Sequence, residues 1–203
     1  MMKIAVIGAG QMGNGIAQVA ASAGYEVLMV DIKEEYVDRG MATIQKSLTK
    51  LVSKERISQS DANDTLNRIS TTTDRGECAD VDLVVEAVPE ILDLKTSIFS
   101  ELDDICKPEC ILASNTSSIS ISTIANATNR PEKVIGMHFM NPVPIMKLVE
   151  IINGDQTSEA TNSAVVEAAE KMGKIALSCN DSPGFVSNRI LCPMLNEAIL
   201  TLE

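Results

Sequence analysis

Two residues in this sequence are well suited to move a proton together: His138, the single histidine of the chain, and Glu150, twelve positions later. His138 closes the apolar run Val134-Ile135-Gly136-Met137. Glu150 stands inside Leu148-Val149-Glu150-Ile151-Ile152, where both faces of a strand read apolar. A carboxylate buried in such a strand is unfavourable unless it is paired. The turn Asn141-Pro142-Val143-Pro144 carries the chain back towards His138 and so supplies the partner. A lone histidine with one hydrogen-bonded neighbour also serves plain structural ends, and spacing by itself leaves both readings open. If the pair is chemical, imidazole takes the proton of a hydroxyl while hydride leaves the carbinol carbon. The carboxylate then orients the ring and stabilises the imidazolium.

Hydride needs an acceptor, and Gly8-Ala9-Gly10-Gln11-Met12-Gly13 is spaced to hold one. A G-x-G-x-x-G run alone is a weak signal. Here it follows the apolar strand Ile4–Ile7 directly and opens a helix with Met12, Ile16, Val19 and Ala23 on one side. Gly8 makes the turn, Gly10 lets a pyrophosphate approach the backbone, and Gly13 allows the helix to lie close on the sheet. The helix N-terminus offers free N–H groups and the positive end of its dipole. A second strand ends at Asp31, placed to accept hydrogen bonds from an adenosine ribose and to repel a 2′-phosphate, which favours NAD, although Lys33 lies nearby.

Ile111-Leu112-Ala113 runs into Ser114-Asn115-Thr116-Ser117-Ser118, again where a parallel strand ends. These residues suit the cap of a helix starting near Ile119, and equally a hydroxyl aimed at a substrate oxygen. Glu90 and Lys95 open the next crossover helix and read as its solvated face. Lys46, Lys50, Lys54 and Arg56 cluster late on another helix and read the same way.

The elements that must position these groups alternate short apolar runs with helical periodicity, the pattern of an α/β, Rossmann-type, doubly wound and mostly parallel sheet. The expected strands are Ile4–Ile7, Val27–Val30, Leu83–Val85, Ile111–Ala113, Val134–Met137, Leu148–Ile152 and Ile175–Leu177, with Ile69–Thr72 weaker. Val37, Met41, Ile44, Leu48 and Leu51 form one helical stripe, and Leu94, Ile98, Leu102 and Ile105 another. After Pro183-Gly184 comes a helix with a broad apolar face, from Phe185 through Ile190, Met194 and Ile199 to Leu202. So wide a face requires a partner surface. The expected division is therefore a dinucleotide-binding domain over 1–182 and the first helix of an all-α domain over 183–203.

A formal net charge of −11 argues against a nucleic-acid partner. Trp is absent and aromatic residues make up 2%, so aliphatic side chains and ten Met must fill the core. Five cysteines without a C-x-x-C pair fit neither a disulfide framework nor a zinc site, and point to a reducing cytoplasm. No segment has the length or hydropathy of a signal peptide or membrane span.

Several of these segments, in this order, resemble the 3-hydroxyacyl-CoA dehydrogenases, above all the bacterial short-chain type. They are Val6-Ile7-Gly8-Ala9-Gly10-x-Met12-Gly13, Ala113-Ser114-Asn115-Thr116-Ser117-Ser118, His138-Phe139-Met140-Asn141-Pro142, Met146-Lys147-Leu148-Val149-Glu150 and Pro183-Gly184-Phe185. The resemblance implies NAD-dependent oxidation of an L-3-hydroxyacyl-CoA to the 3-ketoacyl-CoA, or the reverse. By it His138 is the base and Glu150 its partner, and Ser117 and Asn188 hydrogen-bond the reacting oxygen. Glu90, Lys95, Asn141 and Ser117 contact the cofactor, and Ser47 and Lys54 the CoA moiety. It also implies a helical domain that completes the acyl site and makes a homodimer. No metal is expected. Two alternatives stand beside this reading: a non-catalytic NAD-binding module, and a sugar-acid dehydrogenase on a similar scaffold.

Overall fold

The computed structural model describes residues 2–202. Eight strands form one sheet in the order β3-β2-β1-β4-β5-β6-β7-β8. They are β1 (Lys3–Ile7), β2 (Glu26–Val30), β3 (Ile69–Thr72), β4 (Leu83–Glu86), β5 (Ile111–Ser114), β6 (Val134–Phe139), β7 (Leu148–Asn153) and β8 (Ile175–Asn180). The helices are α1 (Gln11–Ser22), α2 (Glu34–Ser53), α3 (Gln59–Asn67), α4 (Leu92–Ile105), α5 (Ile121–Ala125), α6 (Glu159–Lys171) and α7 (Ser187–Leu202). All eight expected strands are present.

The sheet is covered on both faces, and for that reason its central strands read as unbroken apolar runs. In β1, Ile4 and Val6 pack on one side against Ile16, Ala20 and Met29. Ala5 and Ile7 pack on the other with Leu28, Ile98, Phe99 and Leu102. Strands β1 to β6 are mutually parallel, whereas β7 runs antiparallel to β6 and β8 runs parallel to β7. The reversal follows from chain length, since the segment between Phe139 and Leu148 is too short for a crossover.

Helix α3, which has little apolar periodicity, is set by its start: Ser58 and Asp61 form a reciprocal capping box. The last helix begins two residues later than its apolar pattern suggests. Phe185 lies outside it, with φ of +51°, buried in the core in an edge-to-face arrangement with His138, ring centroids 5.7 Å apart. Val186 likewise precedes the helix. From Ser187 onward no residue of α7 is fully buried, and Ile190, Met194 and Ile199 are exposed.

Candidate active site

The functional residues gather at the edge of the sheet where β1, β2, β4, β5 and β6 end, which is where open α/β sheets bind ligands. Gly8 follows β1 with φ of +103°, a backbone conformation that a side chain would strain. A Cβ on Gly13 would stand 1.7 Å from the Gly8 carbonyl oxygen, so helix and turn touch backbone to backbone. Above Gly10, the residue preceding α1, nothing lies within 4 Å of where a Cβ would be. Asp31 directly follows β2 and its Oδ2 accepts the Ala9 N–H at 2.7 Å, tying the second strand to the glycine turn. A cavity of about 330 Å³ lies beside them, lined among others by Gly8, Gly10, Asp31, Ile32 and Val88. Arg75 also lines it, with Nη2 on Glu101 at 2.7 Å and a buried Nε that has no partner among the described residues. The left-handed turn, the open backbone above Gly10, the helix N-terminus and the carboxylate at the strand end together fit a dinucleotide. Gln11 and Met12 open α1, and Gln11 Nε2 donates to Asn141 Oδ1 at 3.2 Å. The glycine helix and the His138 loop therefore meet.

His138 and Glu150 are directly opposite in the antiparallel pair of β6 and β7, and both are buried. Nδ1 of His138 is 2.8 Å from Glu150 Oε2, and Nε2 is 3.0 Å from Ser117 Oγ. Glu150 Oε1 accepts the backbone N–H groups of Val186 (3.0 Å) and Ser187 (2.8 Å), and Oε2 also accepts the Ser187 hydroxyl at 2.8 Å. Burial works to raise the Glu150 carboxyl, but these bonds from Ser187, His138 and Val186 outweigh it and hold the group below the ordinary range. An ionised carboxylate only accepts, so the proton between the residues sits on Nδ1, and Nε2 turns its lone pair towards Ser117.

The crossover helix departs from its sequence reading. Lys95 is not a solvated charge: it is 1% exposed, and Nζ bonds Glu86 Oε1 at 2.7 Å, Glu90 Oε2 at 3.3 Å and the Val88 carbonyl at 3.3 Å. Glu86 is fully buried at the end of β4 and also accepts from Ser114 Oγ at 2.7 Å and Val88 N at 2.6 Å. Glu86 was not anticipated, although its signal was present as a carboxylate closing the apolar run Leu83-Val84-Val85.

Oε1 of Glu90 collects the Thr116 hydroxyl, Ser117 N (3.0 Å), Ser118 N (3.1 Å) and Ser118 Oγ (3.0 Å). Desolvation tends to raise this carboxyl, but Thr116 and the Lys95 charge pull it below its ordinary value. The serine loop is thus folded around Glu90 and His138 and does not cap the next helix; Ser120 does that, accepting from Thr123 N. Asn115 Oδ1 accepts from Phe139 N at 2.9 Å and fixes the loop to β6.

Asn188, in the first turn of α7, faces Ser117 across a cavity of about 670 Å³, with Pro183, Gly184 and Arg189 also in its wall. Ser47 is half-buried on α2 and Lys54 is exposed at its end, and neither bonds to the cluster around His138. Lys46, Lys50 and Arg56 are exposed, as the sequence suggests. Among the described residues no group of three or more His, Cys, Asp or Glu is placed to hold a metal ion.

A doubly wound sheet with a glycine cradle, an acidic strand end and a buried His–carboxylate pair on the same edge defines a dinucleotide-dependent dehydrogenase domain. The family described as "3-hydroxyacyl-CoA dehydrogenase, NAD binding domain" matches residues 3–182, and the chain belongs to it. The chain is 60% identical over 199 residues to a probable 3-hydroxybutyryl-CoA dehydrogenase of Deinococcus radiodurans, covering 98% of this chain and 71% of the relative. It is 47% identical to the 3-hydroxybutyryl-CoA dehydrogenase of Clostridioides difficile, covering 98% and 70%. The crystal structure of the (S)-3-hydroxybutyryl-CoA dehydrogenase of Ralstonia eutropha superposes with a TM-score of 0.97 at 46% identity, covering 100% of this chain and 71% of that one. The protein is accordingly an NAD-dependent oxidoreductase of the kind that acts on 3-hydroxyacyl-CoA.

Proposed function

We propose that the protein interconverts a short-chain L-3-hydroxyacyl-CoA, of the 3-hydroxybutyryl size, and its 3-ketoacyl-CoA, with His138 as the acid–base group. The observation that carries this is the chain Ser117 Oγ···His138 Nε2 and His138 Nδ1···Glu150, set beside the dinucleotide cradle. The names of the similar proteins support the acyl size.

Bound NAD would supply the hydride acceptor, held by the turn from Gly8 to Gly13 and by Asp31. The residues of this chain manage the proton and the oxygen. Nε2 of His138 takes the hydroxyl proton, and Glu150 compensates the positive charge that forms on the ring. Ser117 Oγ, which donates to Nε2 in the absence of substrate, turns its hydrogen bond to the substrate oxygen, with Asn188 across the cleft as the second donor. Glu90 and Asn141 would line the nicotinamide half of the cofactor and Asp31 the adenosine ribose, whereas Lys95, expected to contact the cofactor, is buried behind Glu90 as its ion-pair partner. Ser47 and Lys54 hold the CoA end, where their α2 neighbours Leu48 and Leu51 border a cleft that also holds Lys147 and Lys171. Residues from 183 onward open a helical domain that completes the acyl site and supports a homodimer. Five free cysteines suit a reducing, cytoplasmic setting.

NADH consumption with acetoacetyl-CoA tests the proposal. Replacing His138 with Gln lowers kcat roughly 10²–10⁴-fold with NADH affinity nearly intact. Turnover close to that of the unaltered chain would overturn the assignment of the base. Replacing Lys54 with Ala raises the KM for the CoA thioester; an unchanged KM counts against the CoA contact.

A further inference from the structure

We propose that Ser187 is a positioning residue for the His138–Glu150 pair, its hydroxyl sharing Glu150 Oε2 with His138 Nδ1 and thereby limiting how strongly the carboxylate favours the protonated ring. The inference rests on the acid–base reading of His138 given above and extends it to a residue of α7.

Glu150 is fully buried and its two oxygens receive four hydrogen bonds. Two backbone N–H groups occupy Oε1, and His138 Nδ1 and Ser187 Oγ divide Oε2, each at 2.8 Å. That fills the accepting capacity of a carboxylate. The backbone donors are supplied whatever side chain stands at 187. The hydroxyl is the one donor on Oε2 that competes with the ring. Its bond draws electron density from the oxygen that stabilises imidazolium. Removing it leaves Oε2 to His138 alone, and a less saturated carboxylate in a dry site favours the charged ring more.

Among the described residues the surroundings add no cation that competes for Glu150. From β6, Glu150 meets His138; from the start of α7 it meets Ser187, and from the residue before that helix the Val186 backbone. From β8 comes Cys179, whose thiol is pushed up to about 11 by burial and by Glu150 and Asp181, and so stays neutral near pH 7. Asp181 is engaged with Ser120 and Ser122. No Lys or Arg pairs with Glu150 among the described residues. Around the ring itself stand Ser117 Oγ and the edge of Phe185.

His138 is the only histidine in the chain, so a single imidazole Cε1–H resonance reports its titration without assignment and without substrate. In Ser187→Ala the midpoint moves to higher pH by roughly half a unit, and Ser187→Thr, which keeps a hydroxyl, stays with the unaltered protein. In the alcohol-oxidising direction the acid limb of kcat/KM moves with it. The Ala variant then loses about threefold below the limb and converges with the parent at high pH. A midpoint unchanged in the Ala variant, or moved equally in Thr, overturns the proposal, as does a loss of rate that is the same at every pH. If the resonance moves but the rate profile does not, the coupling of Ser187 to the ring stands and His138 is not the base.

Discussion

Replacing Lys95 with Met probes the buried charge cluster behind the cofactor edge. The ammonium is 1% exposed and Glu86, its partner at 2.7 Å, is 0% exposed. A methionine fills much the same volume, so the chief consequence is a buried carboxylate left without its cation. Breaking such a pair from one side destabilises by about 3–5 kcal/mol. Glu86 retains hydrogen bonds from Ser114 and Val88, which places the loss at the lower end of that range. For a chain of this length, each kcal/mol lowers Tm by about 2–4 °C, so a loss of about 3 kcal/mol lowers it by about 6–12 °C. With no Trp and two Tyr in the sequence, urea unfolding followed by circular dichroism is the suitable assay. The double variant Lys95→Met with Glu86→Gln removes the orphaned charge as well, and recovers at least half of the loss. A single variant within about 1 kcal/mol of the parent would refute the reasoning, and so would a double variant that loses the sum of both single effects.

Replacing Gly13 with Ala forces a Cβ into the Gly8 carbonyl, 1.7 Å away, so α1 must lift from the glycine turn; NADH binding measured by its fluorescence falls at least tenfold, with about 1–3 kcal/mol lost in stability. Acid sensitivity follows from Glu90, Glu150 and Asp181, whose folded carboxyls lie below their ordinary values of 4.5 and 3.8. Depressed carboxyls contribute stability that is complete above those ordinary values and is lost as pH falls through the lower folded ones. The urea midpoint therefore holds between pH 7 and about 5 and declines below about pH 4.5, less steeply in Glu150→Gln than in the parent.

Much of this arrangement can be read from the sequence because β1, β2, β4, β5 and β6 are buried on both faces and announce themselves as apolar runs. The glycine turn, Asp31 and the His138–Glu150 pair are legible for the same reason: each polar residue interrupts or ends a run that otherwise avoids polarity. Lys95 illustrates what such reading misses. On helix α4 it stands one and two turns ahead of the buried Phe99 and Leu102, so its position faces the core; its charge suggested solvent, and only the convergence of β4 and β5 around Glu86 and Ser114 supplies partners that let an ammonium stay there. Phe185 was missed differently, since an apolar pattern cannot distinguish a helix residue from one held just ahead of the helix in a left-handed conformation. The direction of β7 was available from the short return after Phe139, a matter of chain length and not of composition.

Placing His138 opposite Glu150 across a two-strand ladder has a consequence for how the protein can diversify. The pairing depends on register alone, and a slip of one residue would turn Glu150 to the other face of the sheet. The connecting segment is anchored at Val143, which is buried beside Gly15, while its residues from Pro144 to Lys147 are exposed and border the cleft beside α2. Exchanges at those exposed positions alter the lining of the cleft without touching the register that pairs His138 with Glu150, so the two features are free to change at separate rates.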